Sequence, residues 1–414
     1  MPRYQDIFVP GGFPKHTYNP RTDLDLESRL RESRENLCKL VTVTGQTKSG
    51  KTVLARSVFP REDSVWVDGG TVTSEDEFWQ VVNEQLDIFQ STEEEAGSDT
   101  TATISGKGTA GANFILAKGS AEIGADLAKT RSTSRRKSRT VSPRVAALMG
   151  LADARLPVVV DDFHYLPKEI QGQVVRALKQ PIFDGLPVVI IAIPHRRYDA
   201  VRVEREITGR IMAVDVPSWS ETELSYIPTT GFQLLGVPLE EELLRRMVTE
   251  AIGSPHLIQD FCRTVCRTAE LGEGTLRLDG IDIDVVFREV AETIGRPIFD
   301  KLARGPRQRS DRLQRTLKNG QTVDIYELVL HALAHIRPGL VSLEYEDLRS
   351  AIRDVSDSQI PQLHEVARVL KHMSSIAASD QSSTPVIDFE EDEKRLHITD
   401  PFFAFYLRWG RLGD

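Results

Sequence analysis

Short apolar runs alternate with amphipathic stretches along the first half of this 414-residue chain. Four runs of β-branched and aliphatic residues predict buried strands, within residues 41–45, 64–70, 156–167 and 186–194. Helical spacing of apolar positions separates them, and one helix is predicted to begin after the capping residue Ser74. Buried strands that alternate with helices indicate an α/β fold, in which a parallel sheet is covered on both faces.

The second half of the chain carries mainly helical patterns. Residues 218–271 and 281–303 have helical spacing throughout. Three further helices are predicted at 325–335, 343–353 and 360–377. The alternating segment VIDFEEDEKRLHIT and a last helix, DPFFAFYLRWG, follow. Three helices followed by a β-hairpin predict a winged helix-turn-helix.

The composition changes between Ser91 and Ser142, where Gly, Ser, Thr and Ala dominate. The middle of this segment alternates loosely, which favours a β-hairpin, although a lone hairpin is only marginally stable. Its end, KTRSTSRRKSRTVSPR, contains seven basic residues and no acidic one. We interpret the segment as an insertion with a basic arm, and a solvated loop is the alternative.

Charge, cysteine content and hydropathy argue against several classes of protein. The net charge of −9 argues against a protein that coats nucleic acid with its whole surface. Three cysteines, with Cys262 and Cys266 one helical turn apart, suggest small buried side chains and no disulfide framework. The N-terminus lacks a signal-peptide pattern, and no apolar run approaches the roughly 18 residues of a membrane span. We therefore expect a cytoplasmic protein that makes no membrane contact.

The chemistry-bearing motif is VTVTGQTKSGKTVLARS, residues 41–57. It has the form G-x-x-x-x-G-K-T between a predicted strand and a predicted helix, which is the pattern of a phosphate-binding loop. Glycines allow successive backbone N–H groups to point at phosphate oxygens, and the helix N-terminus favours the same negative charge. The alternative is a chance match in a glycine loop. The predicted nucleotide-binding residues of this loop are Gly45, Gln46, Thr47, Lys48, Ser49, Gly50, Lys51, Thr52 and Val53.

Two carboxylates end the predicted strand in VVVDDF. Ligands of parallel sheets bind at the carboxyl ends of the strands, so these side chains are expected beside the phosphate loop. Asp161 is predicted to hold Mg²⁺ together with Thr52, and Asp162 is predicted to orient or deprotonate the attacking water. The alternative is that the pair only caps the next helix.

In this order, the motifs resemble those of the AAA+ superfamily of P-loop ATPases, particularly its initiator-like and STAND-like prokaryotic members, over nearly the whole chain. The segment VVIIAIPH resembles the sensor-1 strand, which implies a γ-phosphate contact for His195. The segment ITGRIMAVDVPSWSETEL resembles the arginine-finger region and implies that Arg210 acts on a neighbouring subunit. A surface or salt-bridged arginine is the alternative for Arg210, and a helix-capping or surface histidine is the alternative for His195.

Three other segments extend the resemblance. GSPHLIQDF resembles the sensor-2 helix start of a helical lid, which implies nucleotide contacts for Pro255 and His256. TYNPRTDLDLESRL resembles the N-terminal linker of the family, which implies that Tyr18 and Arg21 lie near the adenine. LHITDPFFAFYLRW resembles the end of the winged helix in a prokaryotic ATPase clade. The expected regions are an arm at 1–25, a P-loop core at 26–217 with the insertion at 91–142, a lid at 218–272, a basic linker at 273–321 and a winged helix at 322–414.

The chain also departs from the family pattern. Asp162 replaces the usual second glutamate, His256 replaces the usual sensor-2 arginine, and the insertion lengthens the separation between Lys51 and Asp161. The resemblance therefore implies a slow ATPase that works as a molecular switch with ATP and Mg²⁺. It would assemble with itself and with a separate effector protein, in a setting such as anti-phage defence. The alternatives are a DNA-binding ATPase of initiator or transposition-helper type and a scaffold that binds ATP without hydrolysing it.

Charge makes DNA binding by the winged helix less favourable. Residues 322–414 contain nine Lys/Arg and sixteen Asp/Glu. A surface that follows a phosphate backbone needs several cations on one face, so this region is expected to dock protein instead. If nucleic acid binds, the predicted contacts are in the basic insertion and the linker: Arg135, Arg136, Lys137, Arg307 and Arg309.

Overall fold

The computed structural model describes residues 2–35, 38–93, 101–106, 141–193, 209–270, 277–278, 280–306, 312–340, 342–357, 359–378 and 385–412. Its helices are α1 (Tyr4–Ile7), α2 (Leu26–Glu32), α3 (Lys51–Val58), α4 (Glu75–Gln85), α5 (Pro143–Ala154), α6 (Lys168–Phe183), α7 (Glu221–Leu235), α8 (Glu241–Glu250), α9 (Pro255–Thr268), α10 (Ile283–Arg304), α11 (Ile325–Ile336), α12 (Tyr345–Val355), α13 (Leu363–Ala378) and α14 (Pro401–Trp409). Its strands are β1 (Leu40–Gly45), β2 (Val65–Asp68), β3 (Ile88–Glu93), β4 (Thr101–Gly106), β5 (Val158–Asp161), β6 (Val188–Ala192), β7 (Ile211–Val216), β8 (Arg315–Thr316), β9 (Thr322–Val323), β10 (Ser342–Glu344), β11 (Ile387–Glu390) and β12 (Arg395–Ile398).

The central element is a five-stranded sheet with the order β2-β5-β6-β1-β7. The pairs β2–β5 and β5–β6 are parallel, and Val65 to Asp68 lie in register with Val158 to Asp161. All residues of β1 and β6 are buried, as expected for strands covered on both faces. The predicted α/β parallel-sheet fold is confirmed.

The chain divides into two compact units. One unit comprises residues 28–43 and 56–214 and has its core around Trp79, Phe78 and Phe163, which are almost fully buried. Helix α4 starts as predicted, because the Ser74 side chain accepts a hydrogen bond from the Glu77 N–H.

The other unit comprises residues 1–27, 44–55 and 215–414. Helices α7, α8 and α9 pack together, and α9 buries Cys262 and Cys266, as the sequence predicts. Burial raises the pKa of both thiols, that of Cys266 to about 12, so they behave as apolar side chains. The N-terminal arm inserts Phe8 beside Phe232 of α7, with ring centroids 5.2 Å apart.

The C-terminal region contains the three predicted helices, α11 to α13, and the predicted hairpin of β11 and β12. The short strand β10, which the sequence pattern did not reveal, pairs with β12 and completes a three-stranded antiparallel sheet. The last helix, α14, packs along α10, where Gly295 leaves room for Tyr406.

Other details differ from the sequence expectations. Helix α4 ends at Gln85, and the residues that seemed to continue it form β3. Strands β3 and β4 make an antiparallel hairpin that begins before the predicted insertion. Strand β7, IMAVDV, was not predicted, and only Val214 and Val216 of its residues are buried. No helix of the described residues is both long and apolar enough to cross a membrane.

Candidate nucleotide site

The phosphate loop connects the end of β1 to the start of α3. Its backbone turns through positive φ values of 62° at Lys48 and 90° at Gly50. A Cβ atom at Gly45 would lie 2.6 Å from the carbonyl oxygen of Val216, so only glycine fits at this point. The strand, loop and helix predicted from the sequence are all present.

Lys51 is the buried cation of the loop, with 8% of its surface exposed. Its Nζ atom donates hydrogen bonds to the carbonyl oxygens of Gly45 at 3.0 Å and Gln46 at 2.8 Å. The ammonium group is thus held inside the curve of the loop. The hydroxyl of Ser49 is buried and has no hydrogen-bond partner among the described residues. A buried polar group of this kind is costly unless a ligand or water satisfies it.

The segment between β7 and α7 contacts the loop through side chains that the sequence reasoning did not single out. The indole N–H of Trp219 donates to the carbonyl oxygen of Ser49 at 2.8 Å. The hydroxyl of Ser218 donates to the side-chain oxygen of Gln46 at 2.9 Å. Because these contacts join residues about 170 positions apart, no local pattern could reveal them.

Arg21 of the N-terminal arm is buried against this same segment. Its guanidinium group pairs with Glu223 at 2.7 Å and lies over the Trp219 ring, 4.8 Å from the ring centroid. Tyr18 instead donates its hydroxyl to Glu27 at 2.7 Å. The predicted proximity of Tyr18 and Arg21 to adenine remains a prediction.

Partial burial opposes the ionisation of Glu223, which caps α7 through the capping box with Ser220. Hydrogen bonds from Arg21 and from the Ser220 backbone and side chain outweigh this effect, so the pKa of Glu223 lies below its usual value. The carboxylate is therefore charged at neutral pH and keeps its pair with Arg21.

A further part of the loop contacts the C-terminal region. The Lys48 ammonium lies 5.2 Å from the ring centroid of Phe402, and the His256 ring meets the same Phe402 edge-on at 4.8 Å. His256 is half-buried next to Pro255, the first residue of α9, and its Nε2 lies 3.4 Å from an Asp260 oxygen. The residue predicted as sensor 2 thus packs against α14.

Asp400 caps α14 at this contact. One of its side-chain oxygens accepts hydrogen bonds from the N–H groups of Phe402 at 2.8 Å and Phe403 at 2.9 Å. Burial raises the pKa of Asp400, although these bonds and the charges of Lys48 and His256 oppose the shift. The ionised form is therefore disfavoured by its surroundings.

The two predicted acidic residues lie at the end of β5, in the unit that contains residues 56–214. The Asp161 carboxylate accepts a hydrogen bond from the Asp162 N–H at 3.0 Å, and the Asp161 carbonyl accepts one from the Gly69 N–H at 2.8 Å. Asp162 has a positive φ of 49° and precedes a short 3₁₀ turn. Both side chains are only partly buried.

Arg210, the predicted finger, is exposed, and its guanidinium lies 5.0 Å from the ring centroid of Phe183 at the end of α6. His195 lies outside the described residues, as do all five predicted nucleic-acid contacts: Arg135, Arg136, Lys137, Arg307 and Arg309.

Two cations of the described part of the basic linker lie beside carboxylates of the protein. Arg312 pairs with Asp324 at 2.6 Å, and the buried Arg315 lies 3.6 Å from a Glu365 oxygen. On α13, Lys371 pairs with Glu391 at 2.7 Å. These cations already have carboxylate partners within the protein.

Comparison with known proteins places this fold. No protein-family model matches the sequence, and no curated protein matches it either. The structure is similar to the Walker-type ATPase PABY2304 of Pyrococcus abyssi, at 16% identity and a TM-score of 0.53, over 92% of this chain and 94% of that one. It is also similar to the ORC2 protein of Aeropyrum pernix, solved with ADPNP and ADP, at 14% identity and a TM-score of 0.50, over 97% and 96% of the two chains. The chain shares the α/β P-loop fold of these two structures.

Proposed function

We propose that this protein is a molecular switch that binds ATP and hydrolyses it slowly. One observation carries the proposal. The loop that would hold the phosphates contacts the C-terminal region directly, because Lys48 of the loop lies over Phe402 of α14. A ligand that shifts Lys48 would therefore change a contact between the loop and the C-terminal region.

The phosphate loop supports the binding part of the proposal. Lys51 is held inside the curve of the loop, where it would meet the β- and γ-phosphates. The buried Ser49 hydroxyl and the strictly glycine position at Gly45 fit a loop whose backbone closes on an anion.

The two predicted metal ligands have the chemistry that Mg²⁺ prefers. Thr52 and Asp161 offer a hydroxyl and a carboxylate oxygen, the hard ligands that Mg²⁺ takes together with phosphate oxygens. The described residues contain no cluster of three or more His, Cys, Asp or Glu side chains that could hold a metal ion. When bound, the ion would neutralise phosphate charge, and Asp162 would hold the attacking water and accept its proton.

The remaining roles are proposed from the resemblance. His195 would contact the γ-phosphate, and Arg210 would reach the nucleotide of a neighbouring subunit in an oligomer. Arg210 is exposed, which suits a contact with another subunit. The C-terminal region would signal to a separate effector protein, and prokaryotic defence is the setting that the resemblance implies.

Two measurements test the proposal. Calorimetry with ATP and Mg²⁺ should show binding by the wild type and at least a hundredfold weaker binding by Lys51→Ala, because a buried cation that meets two phosphates is removed. Phosphate release should be slow in the wild type and fall further in Asp162→Ala. Equal release by both proteins would favour the non-hydrolysing scaffold, and absent ATP binding would overturn the switch.

The DNA-binding alternative has a separate test. It would depend on the insertion and the linker, because residues 322–414 contain more acidic than basic residues and Lys371 of α13 pairs with Glu391. Neutralising Arg135, Arg136 and Lys137 together should reduce the salt dependence of DNA affinity if this alternative is correct. An unchanged slope, or stimulation of the ATPase by a protein partner alone, would favour the switch.

A further inference from the structure

We propose that Arg21 is a positioning residue of the nucleotide site. It fixes the segment 217–223, and this segment fixes the phosphate loop through Trp219 and Ser218. The inference rests on the proposed function, because the positioned loop is the one that would hold ATP. It gives Arg21 a role that needs no contact with the nucleotide.

Each nitrogen of the Arg21 guanidinium group donates a hydrogen bond within the protein. Its Nε and one terminal nitrogen donate to the two Glu223 oxygens at 2.7 and 3.2 Å. The terminal nitrogens also donate to the carbonyl oxygens of Pro217 at 2.9 Å and Ser218 at 3.0 Å. Only 4% of the side chain is exposed. Such a network holds residues 217–223 in one arrangement.

The backbone around Arg21 is fixed as well. Arg21 has a φ of 50°, a left-handed conformation that is uncommon for a residue with a long side chain. Its N–H donates to the Asn19 side-chain oxygen at 3.0 Å, and the Asn19 amide donates to the Glu223 carbonyl at 3.0 Å. The arm thus presents the guanidinium from a defined position.

The second step runs from the segment to the loop. Arg21 covers the Trp219 ring, and the Trp219 N–H donates to the Ser49 carbonyl. Ser218, whose carbonyl receives an Arg21 bond, donates its hydroxyl to Gln46. Arg21 therefore reaches the loop by two routes, each through a single intervening residue, Trp219 or Ser218.

Arginine is the residue type that this role requires. Its planar fork can bond a carboxylate with two nitrogens, reach two carbonyl oxygens and stack on an aromatic ring at the same time. A lysine would keep the charge but lose the paired geometry and the stacking. Arg21→Lys should therefore behave more like Arg21→Met than like the wild type.

The experiment compares Arg21→Met with Arg263→Met. Arg263 also holds the arm, because it donates to the carbonyl oxygens of Gln5 at 3.4 Å and Phe8 at 3.1 Å, but these bonds do not reach the loop. Hydrogen exchange of the amides of residues 45–52 is measured without nucleotide, and ATP affinity is measured by calorimetry. Thermal melting confirms that both variants fold.

Arg21→Met should speed exchange of the loop amides and weaken ATP binding, each by about tenfold, as expected for the loss of a charged hydrogen-bond network. Arg263→Met should leave both within about twofold, which is less than 0.5 kcal/mol. Equal effects in the two variants would overturn the proposal, because docking of the arm would then be the cause. Unchanged exchange in Arg21→Met would also overturn it.

A double-mutant cycle tests whether Arg21 acts through Trp219. If it does, Arg21→Met combined with Trp219→Phe should weaken ATP binding no more than the stronger single variant. Additive losses would contradict that route. If the wild type binds no ATP, the proposed function fails, while the exchange comparison still supports or overturns the role of Arg21.

Discussion

The two flanks of the phosphate loop are built very differently. The arm flank consists of Arg21 and the segment 217–223, and it holds the loop through two direct hydrogen bonds backed by a buried ion pair. The C-terminal flank consists of Asp400 and Phe402, and it meets the loop where the exposed Lys48 covers an aromatic ring. The arm flank depends on the buried Arg21, although its Ser218–Gln46 hydrogen bond is exposed, and the C-terminal flank depends on an exposed cation–π contact.

The difference shows which contact can be released. A cation–π contact at an exposed site contributes about 0.5–1 kcal/mol. The two hydrogen bonds from the arm flank to the loop are neutral and contribute about 0.5–1.5 kcal/mol each, and the charged hydrogen bonds by which Arg21 holds residues 217–223 contribute about 1.5–3 kcal/mol each. Nucleotide binding could therefore break the C-terminal contact while the arm flank stays in place. A switch needs one flank of each kind.

The largest effect is expected where the start of the loop meets strand β7, directly before the arm flank. Gly45→Ala should destabilise the protein by about 3 kcal/mol, because the new Cβ would overlap the backbone of the facing strand. That Cβ would lie 2.6 Å from the Val216 carbonyl and 2.9 Å from the Ser49 hydroxyl. Urea unfolding measures the change. Gly209→Ala is the control, since its Cβ would meet nothing within 4 Å, and equal stability of the two variants would contradict the prediction.

A smaller effect is expected where the arm inserts into the helices. Gly231→Ala would place a Cβ 2.3 Å from the Phe8 ring, so the arm should be pushed out of its site. We expect a loss of about 2 kcal/mol and faster proteolysis within residues 2–24. Gln233→Ala, on the exposed side of the same helix, is the control. An arm equally protected in both variants would show that it does not depend on this contact.

The C-terminal flank should respond weakly. Phe402→Leu or Lys48→Met removes the cation–π contact, so exchange of the first amides of α14 should accelerate by about two- to fivefold. The double variant should be no faster than the faster single variant, because both remove the same contact. A change as large as that of Gly45→Ala would mean that this flank is not the weaker one.

The smallest expected effect is a pH dependence of opposite sign on the two flanks. Glu223 has a lowered pKa, so its contribution to stability is complete above its ordinary value near 4.5 and is lost as pH falls through the folded-state pKa. Asp400 has a raised pKa, so its ionisation costs stability as pH rises from 3.8 through the folded-state pKa. Lowering the pH should therefore decrease the stability of the arm flank and increase the stability of the C-terminal flank.

Single variants separate these two titrations. Exchange of the arm and of α14 is followed between pH 3.5 and 7 in Glu223→Gln and Asp400→Asn. Each substitution should remove the pH dependence of its own flank and leave the other flank unchanged. If Glu223→Gln changed the pH response of α14, the two flanks could not be independent.

The phosphate loop and the start of α4 were predictable because their chemistry lies within a few adjacent residues. Gly45, Gly50 and Lys51 belong to one short motif. Ser74 caps α4 by accepting a hydrogen bond from the N–H of Glu77, only three residues further along the chain. The order of the strands in the sheet and the role of Trp219 were not predictable in this way. Both depend on segments that meet only after the chain has folded.

Arg21 also shows that contacts with distant segments could not be predicted from the sequence. Its neighbours in the sequence marked it as part of an arm near a nucleotide, but its partners Glu223 and Ser218 lie about 200 positions away. Likewise, the sequence around Arg312 and Arg315 is rich in basic residues, but in the fold each of the two lies beside a carboxylate from a later segment. A count of charges cannot distinguish a surface cation from a paired one.

The sequence by itself determined the α/β class, the phosphate loop and the helix caps, because hydrogen bonding and backbone sterics act between near neighbours. The tertiary structure decided what surrounds the loop: Trp219 and Arg21 on one flank, and Phe402 with His256 on the other. Contacts between distant segments depend on how whole elements pack, and that packing is the sum of many weak interactions that no single stretch of sequence contains.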